Sequence, residues 1–411
     1  MNQKLRLHAN EIIARSIRAV QPDEAVSRAL EGKKFPGRVL LVAAGKAAWQ
    51  MAKAAYDCMG DRIENGVVVT KYDHVKGPIG NFLCCEAGHP VPDENSFAGT
   101  QKALELVSDL SAEDTVLFLL SGGGSALFEK PLIPGSMLQD ITGQLLACGA
   151  DIVEMNTIRK RLSAVKGGRF AQLCAPAQVY SIVLSDILGD PLDMIASGPA
   201  CPDGSTSEQA VAIADKYQLK LSEEVWALLR QETPKELNNV TTKINGSVRE
   251  LCVAAEKACR DLGYEPVLLT DQLCCQAKEA GSFLASILKT YAGADKPMAF
   301  IAGGETVVHL TGKGKGGRNQ ELALAAAAGI DGLAGAAVFS VGSDGTDGPT
   351  DAAGGYVDYE TAASLKAQGI EIYRVLQNND AYHALQKVDG LVITGPTGTN
   401  VNDVAVALLN R

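Results

Sequence analysis

What this 411-residue chain lacks excludes several kinds of chemistry. It has five histidines and no close histidine, serine and aspartate set, so a hydrolytic triad finds little support. Its ten cysteines include two adjacent pairs, Cys84-Cys85 and Cys274-Cys275, but no CxxC spacing. Neither a zinc site nor a disulfide framework can be read from them, and Cys84 and Cys85 read as small buried residues rather than nucleophiles. An excess of positive charge is also missing. The formal net charge is -10, a field that does not attract nucleic acid or anionic membrane, so neither is expected as a partner. No apolar run approaches the length needed to span a bilayer, and Met1 to Arg6 lead into an amphipathic helix rather than a signal-peptide core. Reduced thiols in the cytoplasm are the simplest expectation. Tandem repeats and low-complexity tracts are absent as well.

The residues that are present describe a globular protein. Hydrophobic residues make up 46% and charged residues 21%, which sets the chain apart from a disordered one, and its length suggests two or three domains. Leu5, Ile12, Ile13, Ile17 and Val20 have helical spacing, and Pro22 opens a fresh start, so residues 5–31 read as one or two helices. Short apolar runs follow at 38–43, 66–70, 115–120 and 180–184, the first of them leading through Ala44-Gly45-Lys46 into a helix from Ala47 to Tyr56. Nearly all-apolar strands alternating with helices argue for a parallel sheet covered on both faces, where ligands gather at the carboxyl ends of the strands. The polar stretches Gly45-Lys46, Ser121 to Ser125 and Ser185-Asp186 all stand at such ends. Residues 231–249 are polar, and the division falls near them, giving domains over 1–235 and 236–411. The second part offers strands at 266–269, 298–301, 306–310, 337–341 and 391–393.

The densest chemical signal is Thr311 to Glu321, which holds Gly312, Gly314, Gly316 and Gly317 among Lys313, Lys315 and Arg318. Placed between a strand and a helix, such a loop can turn backbone N–H groups and a helix N-terminus toward phosphate. Gly312, Gly314 and Gly317 match G-x-G-x-x-G, but no acid stands at the spacing a dinucleotide site requires, and the interior lysines suit a triphosphate better. Ser121-Gly122-Gly123-Gly124-Ser125 offers a second nest of Cβ-free amides with two hydroxyls. Neither loop is a Walker A sequence. Two acidic loops, Ser185 to Asp190 and Ser343 to Asp351, could hold Mg²⁺ through Asp186, Asp190, Asp344 or Asp347, since that ion prefers one or two carboxylates with phosphate oxygens and water. Three more loops look overspecified for connections: Gly88-His89-Pro90, the basic stretch from Asn156 to Arg169, and Gly395 to Asn400.

Taken in order, these motifs resemble the type II glycerate kinases (glycerate 2-kinases), a family often labelled hydroxypyruvate reductase. The match runs from Gly45-Lys46-Ala47 through Gly88 to Asp93, Leu120 to Ala126, Asn156 to Gly168, Ser185 to Pro199, Gly303 to Thr306, Gly312 to Glu321, Asp344 to Ala352 and Thr394 to Asp403. Any one of these is weak, and the ordered set is specific. The resemblance implies an α/β protein of two domains: a Rossmann-like α/β/α sandwich with a mostly parallel sheet, then a smaller α/β MOFRL domain. It implies ATP- and Mg²⁺-dependent phosphorylation of D-glycerate to 2-phospho-D-glycerate. The family's catalytic lysine and arginine carry over to Lys46 and Arg318. Asp186 or Asp190 would hold Mg²⁺ or accept the hydroxyl proton, and the glycine loops, with Thr397 and Asn400, would bind ATP and the substrate carboxylate. Two departures stand out: Arg161, where the family usually has histidine, and Ala200-Cys201 before Pro202. The alternative is an NAD(P)H-dependent hydroxypyruvate reductase. Oligomeric state is not legible.

Overall fold

The computed structural model describes residues 1–410. Six strands form the first sheet: β1 (Val39–Ala44), β2 (Ile63–Lys71), β3 (Leu83–Ala87), β4 (Thr115–Leu120), β5 (Gln178–Leu184) and β6 (Val240–Gly246). Their spatial order is β3-β2-β1-β4-β5-β6, and β1 to β5 pair in parallel. Both faces are apolar because both are covered. Val39, Leu41, Ala43, Leu117 and Leu119 enter one core with the helices at Pro22–Leu30 and Ala48–Met59, while Phe118 on the opposite face meets Phe128 and Phe170. This explains why each strand reads as an unbroken apolar run rather than an alternating one.

A second six-stranded sheet comprises β7 (Glu265–Leu273), β8 (Met298–Gly304), β9 (Ala336–Gly342), β10 (Gly354–Asp358), β11 (Leu391–Val392) and β12 (Asp403–Leu409), in the order β11-β10-β9-β12-β8-β7. Only β7 and β8 pair in parallel, the other pairings being antiparallel. Ile301, Phe339 and Val406 face a core shared with the first helix, Gln3–Ala19, and with Val248–Asp261. Phe300, Val338 and Ala407 face the opposite core with Ala277–Thr290 and Arg318–Gly329.

The two-part α/β architecture expected from sequence is therefore present. Compactness groups Pro22–Ser185 with Asp190–Asn245 as a parallel-sheet unit, and Met1–Gln21, Asp186–Gly189 and Gly246 onward as a mixed-sheet unit. The polar stretch taken as a junction at 231–249 contains strand β6, whose mostly half-exposed residues lack an apolar signature. The first helix belongs to the mixed-sheet unit, because Leu5, Ile12 and Ile13 bury against Leu251 and Phe339. The strand expected over 306–310 does not form. Val307 makes a single isolated bridge to Gln276, and Leu310 is 80% exposed. Among the described residues no helix is long and apolar enough to cross a membrane.

Candidate functional site

In the parallel-sheet unit the strand order reverses between β1 and β4, the place where an open α/β sheet leaves a crevice for ligands. Ala44 and Leu120 are register partners, so the loops after them leave the sheet side by side. They are hydrogen-bonded to each other: Ser121 N donates to Ala44 O (3.0 Å), Lys46 N to Gly122 O (2.9 Å) and Ala47 N to Ser121 Oγ (3.0 Å). Gly123 adopts a left-handed φ of 86°. A Cβ there would lie 3.0 Å from His89 Cδ2 and 3.2 Å from Lys46 Cε, so its absence lets the imidazole and the lysine lie over the loop. Burial, and then the charge of Lys46, lower the pKa of His89, which holds the ring neutral at pH 7. The N–H groups of Gly122 and Gly123 take no partner among the described residues.

The next chain segment is strained. Asp190, Ala196 and Ser197 have φ of 52°, 50° and 61°, values costly for residues with a Cβ and characteristic of functional sites. Gly124 lies against Ala196, where a Cβ would approach to 2.7 Å. Ser197 Oγ donates to Asn156 Oδ1 (2.8 Å) and lies 3.4 Å from Ser125 Oγ. Asp190 has a buried carboxylate oxygen, Oδ1, without a hydrogen-bond partner. An orphaned hard anion of this kind fits a Mg²⁺ ligand. Asp186, two residues past β5, groups with the mixed-sheet unit.

In the mixed-sheet unit Arg318 opens the helix Arg318–Gly329. Its Nε and Nη2 form a fork on Asp403 (2.5 and 3.0 Å), and Nη1 donates to Glu305 Oε1 at 2.7 Å. Glu305 follows β8 and Asp403 begins β12, whose first register pair is Asp403 with Gly304. Both carboxylates thus stand at one end of the sheet. Burial disfavours the guanidinium charge, but the hydrogen bonds and charge of Asp403, then the charge of Glu305, overcome it and raise the arginine's pKa. Three of five N–H groups are engaged, leaving two for a ligand. Asn402 Nδ2 donates to Glu305 Oε2 (3.0 Å), while its own Oδ1 is buried without a partner.

The long glycine loop is hydrogen-bonded to the segment 378–380 over most of its length. Thr311 N and Gly312 N donate to Asn379 Oδ1 (2.8 and 2.9 Å), Lys313 N to Asn378 Oδ1 (3.2 Å), Gly314 N to Asn378 O (2.8 Å) and Lys315 N to Asp380 Oδ1 (2.9 Å). Gly312 and Gly314 are glycines because they abut the backbone of Asn378 and Asp380. Lys315 Nζ sits 4.3 Å above the Tyr382 ring. Gly316, Gly317 and Arg318 keep backbone N–H groups without a partner among the described residues.

Asp347, one of the four carboxylates named for Mg²⁺, takes internal partners in this structure. It is buried, and its two oxygens accept from Asn319 N (3.1 Å) and Gln320 N (2.8 Å), capping the Arg318 helix from a distant loop. Burial pushes its carboxyl up to about 7, with the two amides pulling the other way and Asp403 adding repulsion. Asp344 is half-buried and accepts from Thr346 N (2.9 Å). Thr397 Oγ1 donates to Ser343 O (2.6 Å), and Asn400 Oδ1 accepts weakly from Asn402 N (3.4 Å), so these two side chains hold loops together as they stand. No cluster of three or more metal-ligating side chains occurs among the described residues. Glu305, Asp403 and Asn402 were not singled out as site residues from sequence. Their signal was membership of two matched motifs, Gly303 to Thr306 and Thr394 to Asp403, in which no single residue was given a role.

Two family models match the chain: a domain of unknown function, DUF4147, over residues 8–230, and the MOFRL family over 298–403. The D-glycerate 2-kinase of Thermotoga maritima is 54% identical over 413 residues, covering 99% of each chain. The glycerate 2-kinase of Pyrococcus horikoshii is 40% identical over 427 residues, covering 97% of this chain and 96% of its own. A reductase name occurs at 39% identity, on an Agrobacterium vitis chain whose naming as a hydroxypyruvate reductase is itself provisional. The crystal structure of the Thermotoga maritima glycerate kinase superposes with a TM-score of 0.95, covering 99% of this chain and all of that one.

Proposed function

We propose that this chain, which belongs to the glycerate 2-kinase family, phosphorylates D-glycerate to 2-phospho-D-glycerate with ATP as donor, and that its own residues divide that work as follows. The observation that carries the reading is the pair of unpartnered amides at Gly122 and Gly123, lying with Lys46 and His89 where the sheet order reverses. These amides donate to phosphoryl oxygens of ATP, and Ser121 to Ser125 form the cradle. Lys46 neutralises the charge that spreads over the phosphoryl group in transit, the usual demand of phosphoryl transfer. Arg318, fixed by Asp403 and Glu305, offers its two remaining N–H groups to an anionic oxygen, with the Gly316 and Gly317 amides beside it in sequence.

Asp190, through its buried Oδ1, would hold Mg²⁺, and the ion would supply charge neutralisation to the nucleotide phosphates. Asp186 accepts the proton from the glycerate 2-hydroxyl. The neutral His89 ring donates or accepts a hydrogen bond over the cradle without adding charge. The enzyme works in the cytoplasm, a reading supported by ten cysteines that are all free. A nicotinamide reductase finds no support in the loop 312–317, since no strand leads into it and most of its amides are already bonded. Purified protein given D-glycerate, ATP and Mg²⁺ should yield 2-phosphoglycerate and ADP by NMR. NADH consumption with hydroxypyruvate, and no ADP from glycerate, would overturn the assignment.

A further inference from the structure

Beneath the Lys46 cradle lies a charged cluster to which phosphoryl transfer has so far assigned no part. The basic stretch from Asn156 to Arg169 would ordinarily be a solvated face, yet Lys160, Arg161 and Lys166 are at most 2% exposed. Two of these have local structural partners. Lys160 pairs with Asp203 (3.0 Å), and Arg161 donates to Thr157 O (2.9 Å) and to Ser205 Oγ and O (both 3.0 Å). Arg169 Nη1 binds the carbonyls of Lys160, Arg161 and Ser163, closing the end of the helix Ile152–Arg161.

Lys166 and Arg159 do something different. Lys166 Nζ donates to Ser125 O (2.9 Å) and Phe128 O (3.0 Å), and Arg159 Nη2 donates to the same Ser125 O at 2.9 Å. Glu129, also fully buried, lies 3.4 Å from Lys166 and 4.0 Å from Arg159. Neither Glu129 oxygen takes a directed hydrogen bond, so the carboxylate serves as a counter-charge only. Two cations against one anion leave a net positive charge under the loop. Burial lowers the Lys166 ammonium to about 8, so it stays protonated at neutral pH. A buried ion pair is a poor way to gain stability, because well-packed apolar residues of similar volume do as well or better. The cations therefore call for an account other than packing, and the atom they share supplies it.

We propose that Lys166 and Arg159 are positioning residues for the phosphoryl transfer, gripping the Ser125 carbonyl so that the Gly122 and Gly123 amides stay aimed at the anion. A backbone carbonyl free to turn toward the phosphates would repel them. Two cationic donors hold this one away, while Ser197 engages the hydroxyl of the same residue. The inference rests on reading Ser121 to Ser125 as the phosphate cradle.

The test pairs Lys166→Met with Glu129→Gln, which removes the ion pair without orphaning a buried carboxylate. The expected result is a melting temperature within a few degrees of the parent, kcat down ten- to a hundredfold, and KM for ATP changed less than threefold. A purely structural pair would not move kcat alone. Arg159→Met, at a partly exposed side chain, should lose about tenfold in kcat. Because both residues act on one carbonyl, the combined loss should fall short of the product. Wild-type kcat in either Arg159→Met or the folded double variant overturns the proposal. Lys46→Met separates the two levels: full activity there would sink the cradle itself, whereas an inactive Lys46→Met beside a fully active Lys166 double variant would sink only the positioning role.

Discussion

Two glycine-rich loops, one in each unit, show that the same sequence signal can have opposite physical causes. Ser121 to Ser125 keeps the amides of Gly122, Gly123 and Ser125 without partners among the described residues, and its glycine at 123 makes room for His89 and Lys46. Thr311 to Lys315 has every amide bonded, and its glycines make room for the backbone at Asn378 and Asp380. A glycine marks a close approach without saying what approaches. The partner of the amide decides whether the loop faces a ligand or the rest of its own chain. On this criterion the richer and more basic loop is bonded to its own chain from Thr311 to Lys315, and free amides begin at Gly316.

The comparison breaks most sharply at the lysines. Lys46→Met should cut turnover by about 10³, the upper scale for losing one preorganised group in an acyl- or phosphoryl-transfer site, or about 4 kcal/mol. Lys315→Met should cost less than about tenfold, since its ammonium already rests on Tyr382. Steady-state kinetics of the two variants decides the matter, and equal losses would restore the long loop as a phosphate cradle. Next in size is Arg318→Lys. The charge returns but the fork on Asp403 does not, and turnover should fall about 10²-fold, some 2.7 kcal/mol. Turnover within threefold of the parent would show that the arginine acts as a point charge alone.

The fold was largely legible because buried parallel strands write themselves as apolar runs, and 115–120 was readable to the residue. β12 was passed over although Val404 to Leu409 is such a run, and other strands were missed where the pattern fails. β10 carries Gly354 and Gly355, demanded by the Ser340 backbone and by Leu385 and Ala323, and so reads as a loop. β6 is a half-exposed edge. Lys46 and Ser121 to Ser125 were visible because they follow strong strands. Glu305 and Asp403 lay inside matched motifs but were given no role, because a lone acid beside a strand has no spacing signature until an arginine folds between the two. The basic stretch was legible only as overspecified for a connection, and the fold alone reveals the buried carbonyls its cations meet.

A smaller effect tests the claim that Asp347 caps the helix Arg318–Gly329 rather than a metal. Burial places its folded-state pKa at about 7 against an ordinary 3.8. A folded value above the unfolded one means the folded chain holds the proton longer. The contribution is therefore full below about pH 4 and is lost as pH rises through 7, at about 1.4 kcal/mol per unit in between. From pH 5 to pH 7 the parent should lose about 2 kcal/mol more stability than Asp347→Asn, whose amide does not titrate. Denaturant midpoints at a few pH values measure the difference. Parallel pH profiles for the two proteins would show that the carboxyl is ionised and matched by another charge.

The smallest expected effect comes from swapping alanine into each loop, and it addresses the comparison most directly. At Gly314 a Cβ would come to 2.5 Å of Asn378 O and 2.6 Å of Asp380 Cα, atoms of a neighbouring backbone that yields only if the two loops part. Gly314→Ala should therefore cost about 1–2 kcal/mol of stability, the scale for overpacking a tight contact. Well below the melting transition, ATP KM and kcat should stay within about threefold, because the amide bonded at that position never met a ligand. At Gly123 the neighbours are the ends of two side chains, His89 and Lys46, which can swing aside. The left-handed φ there still costs about 1 kcal/mol for alanine. The larger consequence is displacement of the lysine, and a shift of that order should lower kcat about tenfold or more while leaving a folded protein. The predicted pattern is thus crossed: one alanine lowers the melting temperature and spares turnover, and the other lowers turnover beyond its effect on melting. If both variants lost stability and turnover in the same proportion, amide occupancy would not separate the two loops, and the glycines of both would have to be read as packing.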